Sequence, residues 1–399
     1  MDLGLLYEFE APQPWEQPHP WGQRNAERRG YHDAIEQIVL ADRKGFHTAW
    51  LVEHHFREGR SHMPCSEAVL GALSQITRDI RLGFGVTLLP HEFIHPARVA
   101  EKVATVDVLS KGRVEWGIGR STPMEQIAFG VDIARSKEKM VAAARTIAGM
   151  WREEYYEEDS EFLKFPPRMI TPKPWQDPHP PCWMAASSLE SARMAGENGL
   201  GLLCFSIMQP LSKMAEIVGI YREAAARAVP LTGVSTNRIG SYTLVHCAKS
   251  RGDFERNKLW ESMWWWYTTV AAFLLKWEFA HLPKEAQDKA FPLLKKQADG
   301  DFDITKFDEE DMVIVGTPEE CLAKFLKYEE VGVDQVLCYV NFGHLTHESV
   351  LESISLLGDY VIPELKKAGK EVKNGTKQVG KDIHRGVKEA GKEIKDAVK

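Results

Sequence analysis

The chain has 399 residues, 44% hydrophobic and 27% charged, with a formal net charge of −7. This composition excludes disorder over most of the length, and the acidic balance excludes a general nucleic-acid binder, which needs a basic surface. Six scattered cysteines without a CxxC pair point to a reducing cytoplasm rather than a disulfide framework or zinc site.

No window approaches the roughly 18 consecutive apolar residues of a membrane span. The opening MDLGLLYEFEAPQPWEQP lacks the basic start and long apolar run of a signal peptide. LGLLYEF (3–9) reads as the first strand. A helix follows near 28–45, with Ile35, Ile38, Val39 and Ala41 on one stripe and Gly45 at its end. HTAWLVE (47–53) is the second strand, and 66–77 a helix with Ser66 as its expected N-cap. IRLGFGVTLLP (80–90) and RVEWGIG (113–119) are the third and fourth strands, with helices at 97–110 and 136–152.

Seven prolines between Pro166 and Pro181 forbid a helix and predict an extended connector over 166–181. PCWMAAS (181–187), LGLLCFS (200–206), RIGSYTLVHCA (238–248) and QVLCYVN (335–341) complete eight strands. Helical sequence separates them: LESARMAGENG to Gly199, 211–228, an aromatic helix over 253–280, 318–330 and 346–368. The charged stretch 284–312 is a candidate lid. Near-continuous apolar strands, each followed by a helix, predict an α/β fold: a (β/α)8 TIM barrel over residues 1–369. No GxGxxG follows the first strand, which disfavours an open doubly wound sheet.

Residues 370–399 differ. They form an expected charged amphipathic C-terminal tail with nine Lys or Arg and five acidic residues. Its net charge is +4, which leaves −11 on residues 1–369. Only Val and Ile line its stripe, so a solvated or loosely docked helix is expected, with a membrane surface or partner as the alternative.

In a barrel, chemistry sits at the C-terminal strand ends. Glu53, His54 and His55 end the second strand. A carboxylate beside imidazoles suits proton transfer near neutral pH; a satisfied structural pair is the alternative. Adjacent strand residues point to opposite faces, so no metal is expected at His54 and His55. Arg120, after glycines, suits a phosphate or a surface ion pair. Ser187 and Ser188 open a helix and offer an anion site or simple N-capping. Together at one rim, the Arg and the helix N-terminus look like a phosphate clamp.

WLVEHHF (50–56), LLPHEFIHPARVAEKVATVDVLSKGR (88–113), EWGIGRS (115–121), MAASSLESARMAGENGLGLL (184–203) and GTPEEC (316–321) resemble the bacterial luciferase-like flavin-dependent monooxygenases. The likeness spans about residues 1–368 and is strongest to the luciferase alpha-chain and alkanal monooxygenase branch. It implies reduced FMN at the barrel mouth, supplied by a separate flavin reductase. It implies oxygenation of an apolar substrate, with aldehydes as one candidate class, by O2 through a C4a-peroxyflavin. It implies His54 as the catalytic His with Glu53 beside it, and Arg120 and Ser187 as phosphate ligands, with Ser188 and Ser191 in the same loop. It implies Trp266, among the tryptophans 264–266, near the flavin ring, and a homodimer or heterodimer.

Two positions depart from luciferase alpha chains. Gly119 replaces a Cys and is expected to enlarge the space near the flavin; Ala186 replaces a Glu. Light emission is therefore not expected. Two other functions compete: an F420-dependent oxidoreductase on the same fold, and a non-catalytic flavin-binding subunit.

Overall fold

The computed structural model describes residues 1–15, 21–205, 207, 209–280, 282–300, 304, 306–309 and 311–373. The expected tail therefore lies outside the described residues beyond Lys373. In chain order the strands are β1 (Asp2–Tyr7), β2 (Thr48–Leu51), β3 (Arg81–Leu88), β4 (Val114–Gly119), β5 (Tyr156–Asp159) and β6 (Lys164–Arg168). They continue as β7 (Cys182–Ala186), β8 (Gly201–Phe205), β9 (Ile239–Cys247), β10 (Ile314–Gly316) and β11 (Gln335–Tyr339).

Parallel neighbours run β9-β11-β1-β2-β3-β4-β7-β8, and β8 pairs back to β9. The sheet is thus a closed eight-stranded parallel barrel, the (β/α)8 TIM fold. Closure leaves no free edge among these strands. Inside the barrel the buried Trp50 and Trp183 rings meet edge-on at 5.6 Å, while Trp116 packs outward on Trp151 of the helix layer at 4.8 Å. Gly83 makes room for one of them: a Cβ there would come within 2.4 Å of the Trp50 ring.

The eight barrel strands fall where the apolar runs predict them. Up to the site the helices are α1 (Trp21–Arg43), α2 (Ser66–Ile76), α3 (Pro96–Ser110), α4 (Pro123–Ala128), α5 (Ser136–Arg152), α6 (Leu189–Glu197), α7 (Leu211–Ala225), α8 (Asp253–Arg256) and α9 (Leu259–Trp277). Several local expectations need correction. Cys65, not Ser66, occupies the N-cap of α2, and Ser66 is its first helical residue. The aromatic helix is broken: a four-residue turn of helix ends at Arg256, and Lys258 adopts φ +54° before α9 starts. A π-helical turn, Leu357–Val361, interrupts the last helix. The start of the Pro-rich connector is strand, because β6 pairs antiparallel with β5. The stretch 284–312 holds two seven-residue helices, Lys284–Ala290 and Pro292–Ala298. Among the described residues, no helix is long and apolar enough to cross a membrane.

Candidate active site

The C-terminal strand ends open into one cavity of about 800 Å³. Glu53, His54, Gly119, Arg120, Ser187, Ser188, Ser191 and Trp266 all line it. Three separate strand ends, those of β2, β4 and β7, thus converge with α6 and α9 on one space.

His54 follows β2. Its Nδ1 lies 3.2 Å from Oε1 of Glu125 in α4. Glu125 is fully buried and also accepts from the His55 amide (2.5 Å), the Thr122 hydroxyl (3.0 Å), Arg57 Nη2 (3.3 Å) and the Ser121 hydroxyl. Burial raises the Glu125 carboxyl, but His54, Arg57 and Ser121 outweigh it and hold it well below the ordinary carboxylate value. Burial and the Arg57 charge lower His54 below its ordinary 6.5, against the pull of Glu125. A neutral imidazole facing an ionised carboxylate carries its proton on Nδ1. Nε2 then has its lone pair free and makes no hydrogen bond among the described residues.

Glu53 takes a different place from the one expected. Its side chain faces Lys102 Nζ at 3.4 Å and His55 Nε2 at 3.8 Å. Alternation along the chain turns it away from His54. The carboxylate that holds His54 is Glu125, which sequence reasoning missed.

The rim beyond β4 and β7 is cationic and hydroxylated. Arg120 Nη1 donates to Ser136 Oγ at 3.2 Å. Lys137 lines the same part of the cavity and pairs with Glu190 at 2.8 Å. Ser188 and Ser191 cap α6: Ser188 Oγ accepts from the Ser191 amide at 3.2 Å, and Ser191 Oγ from the Ser188 amide at 3.0 Å. The Ser187 hydroxyl makes no hydrogen bond among the described residues. The bland reading, N-capping, therefore describes Ser188 and leaves Ser187 facing the cavity. A guanidinium, an ammonium, a free hydroxyl and the open first turn of α6 form a donor set that fits a phosphate.

Gly119 does not enlarge the cavity as expected. A Cβ at Gly119 would meet Val86 Cγ2 at 2.4 Å, so Val86 already occupies that space. Val86 reaches it from the irregular stretch of β3, where the register to β4 shifts between Phe84 and Thr87.

A buried charge layer closes the side nearest β1 and β11. Arg60 Nη1 contacts Glu8 and lies 2.7 Å from Glu10 Oε1 and 3.1 Å from the Tyr339 hydroxyl. The Gly343 amide donates to Glu10 at 2.7 Å. Burial pushes the Glu10 carboxyl up to about 7, against Arg60 and Tyr339. Trp266 is 2% exposed, and the Arg60 guanidinium lies 5.2 Å from its ring centre. From the other wall come Glu278, Phe279, Phe291, Leu293 and Phe307, on or beside the charged stretch 284–312.

A sequence-family model described as luciferase-like monooxygenase matches residues 15–335. An alkanal monooxygenase alpha chain of Photorhabdus laumondii is 26% identical over 82% of this chain and 90% of its own length. The oxygenase component of a flavin-dependent trigonelline monooxygenase of Acinetobacter baylyi is 28% identical over 51% of this chain and 56% of its own length. Monooxygenase RslO1 of Streptomyces bottropensis superposes with TM-score 0.71 at 25% identity, covering 92% of this chain and 100% of its own. Two further solved structures share the fold. One is the oxygenating constituent of 3,6-diketocamphane monooxygenase from Pseudomonas putida in complex with FMN (TM-score 0.68, 18% identity, 91% of this chain, 99% of its own). The other is an F420-dependent secondary alcohol dehydrogenase (TM-score 0.63, 17% identity, 91% of this chain, 99% of its own). By the extent of the family match, the chain belongs to the luciferase-like monooxygenases, a family of oxidoreductase enzymes.

Proposed function

We propose that this protein is a monooxygenase that uses reduced FMN and O2 to oxygenate an organic substrate with an apolar body. A separate flavin reductase supplies the cofactor. One observation carries this reading: the phosphate-fitting rim and the His54–Glu125 pair open into the same cavity. When bound, reduced FMN supplies the electrons that activate O2.

The chain's own residues do the rest. Arg120, Lys137 and Ser187 hold the phosphate. Val86, Met184 and Leu203 offer apolar walls to the ring, and Trp266 stands beside it. Glu125 fixes the His54 tautomer, so Nε2 accepts a proton from, or returns it to, a reacting oxygen. Phe279, Phe291 and Phe307 exclude water, and the stretch 284–312 acts as the lid. Exposed Ile76, Val108 and Leu109 on α2 and α3 offer an apolar patch for a dimer.

The test is reconstitution of the full chain with FMN and a flavin reductase. Oxygen uptake and oxygenated product are followed across a substrate panel, with F420 and its reductant in parallel. Product formation with FMN supports the reading. Binding and turnover with F420 alone overturn it.

A further inference from the structure

Arg57 and Arg60 line the same cavity, yet their charges are met very differently. Arg60 has two carboxylates, Glu8 and Glu10, and the Tyr339 hydroxyl on Nη1, so its charge is fully matched although its Nε, like that of Arg57, has no hydrogen-bond partner. Arg57 has a single carboxylate partner, Glu125, at 3.3 Å from Nη2. That carboxylate also serves His54, the His55 amide, Ser121 and Thr122.

The rest of the Arg57 guanidinium is unused. Nε is buried and has no hydrogen-bond partner. Nη1 meets no acceptor among the described residues; only Nη2 does, at Thr122 (3.1 Å) and Glu125. The side chain is 10% exposed, and its guanidinium carbon lies 4.6 Å from the centre of the Phe273 ring. Holding Glu125 in place accounts for Nη2 alone. A buried cation with idle donors, packed on an aromatic face beside a proton-transfer group, is a recognition site for a planar anion.

We propose that Arg57 anchors the substrate, and that the substrate is an organic acid whose carboxylate takes the idle donors of this guanidinium beside His54. The proposal rests on the reading of this cavity as the oxygenation site and narrows its substrate class. Burial lowers the Arg57 pKa despite Glu125 and Glu8, as expected for a cation short of counter-charge. Glu278, at the end of α9, lines the same cavity, and Arg120 and Arg57 act on it through space. No hydrogen bond joins Glu278 to Arg57 among the described residues, so it does not fill the vacant donors.

The experiment is titration calorimetry on the full chain, with and without FMN. The probes are benzoate and octanoate against benzamide and octanamide, matched in shape and differing in charge. Each carboxylate should bind about tenfold tighter than its amide, the scale of one charge-assisted hydrogen bond. Arg57→Gln should erase that preference while FMN affinity stays within about twofold, and Arg57→Lys should keep part of it. Equal affinity of acid and amide, no binding of either acid, or a preference that survives in Arg57→Gln overturns the proposal. A collapse of FMN affinity in Arg57→Gln also overturns it, by assigning Arg57 to the cofactor. Should that variant not fold, the wild-type comparison and Arg57→Lys still decide. Wild-type protein that prefers the acids but binds no FMN would sink the flavin reading and leave the anion site standing.

Discussion

His54 Nδ1 faces Oε1 of Glu125 at 3.2 Å, across 71 positions of sequence. The carboxylate fixes which imidazole nitrogen meets the cavity. Glu125→Gln should therefore lower oxygenation by about 10²-fold, and His54→Ala by at least as much, the usual worth of a placed proton-transfer group. FMN affinity should hardly change in either. His54 already lies below its ordinary 6.5, and Glu125 pulls it upward. The acid limb of the wild-type rate profile should thus lie below pH 6.5, and Glu125→Gln should move it lower still. Steady-state rates across pH check both points; an unmoved limb and an unchanged rate would remove Glu125 from the mechanism.

The neighbouring serines should separate by readout. Ser187→Ala should weaken FMN binding several-fold with little effect on stability. Ser188→Ala removes the cap of α6 and should cost about 1 kcal/mol of stability. Arg120→Ala should weaken FMN binding by roughly 10- to 100-fold, the worth of a hydrogen bond to a charged group. Flavin fluorescence quenching and thermal melts measure the two effects independently. Equal effects of Ser187 and Ser188 on flavin binding would contradict the division.

Gly119→Ala puts a Cβ where Val86 Cγ2 stands, 2.4 Å away. The variant should lose roughly 1–3 kcal/mol through overpacking. Pairing it with Val86→Ala should recover most of the loss. Urea unfolding of both variants checks this, and a neutral Gly119→Ala would show that Val86 moves aside freely.

His246 is fully buried, and burial lowers its pKa to about 4 from 6.5. Between these values the unfolded chain binds a proton that the folded chain refuses. Stability therefore falls as pH drops from 6.5 to 4, by roughly 3 kcal/mol in full. His246→Gln should flatten that part of the urea-midpoint profile. A variant whose profile parallels the wild type would place the acid sensitivity elsewhere.

The barrel strands were legible because both their faces are buried. TAWL in β2 and VEWGIG in β4 stand out between turn residues as near-continuous apolar runs, broken only by Thr48 and Glu115. The β5–β6 hairpin was not, because YEED and KFPPR are polar and carry two prolines. The three-residue β10 is too short to show a period. At the site, His54, Arg120 and Ser187 stand out because strand ends mark them. Glu125 does not: it lies in a six-residue helix, and its partner is far away in sequence. Arg57, Arg60 and Glu8 carry no comparable mark, since only the closed barrel brings them together. Their one available signal was position, with Glu8 directly after β1 and both arginines in the loop that follows β2.

The most direct test is a crystal structure of the full chain with FMN, grown under anaerobic reduction. The expected result places the phosphate within hydrogen-bond distance of Arg120 and Ser187, with His54 Nε2 turned toward the flavin ring. A phosphate bound away from that rim, or a ring remote from His54, would contradict the assignment of this cavity to flavin-dependent oxygenation.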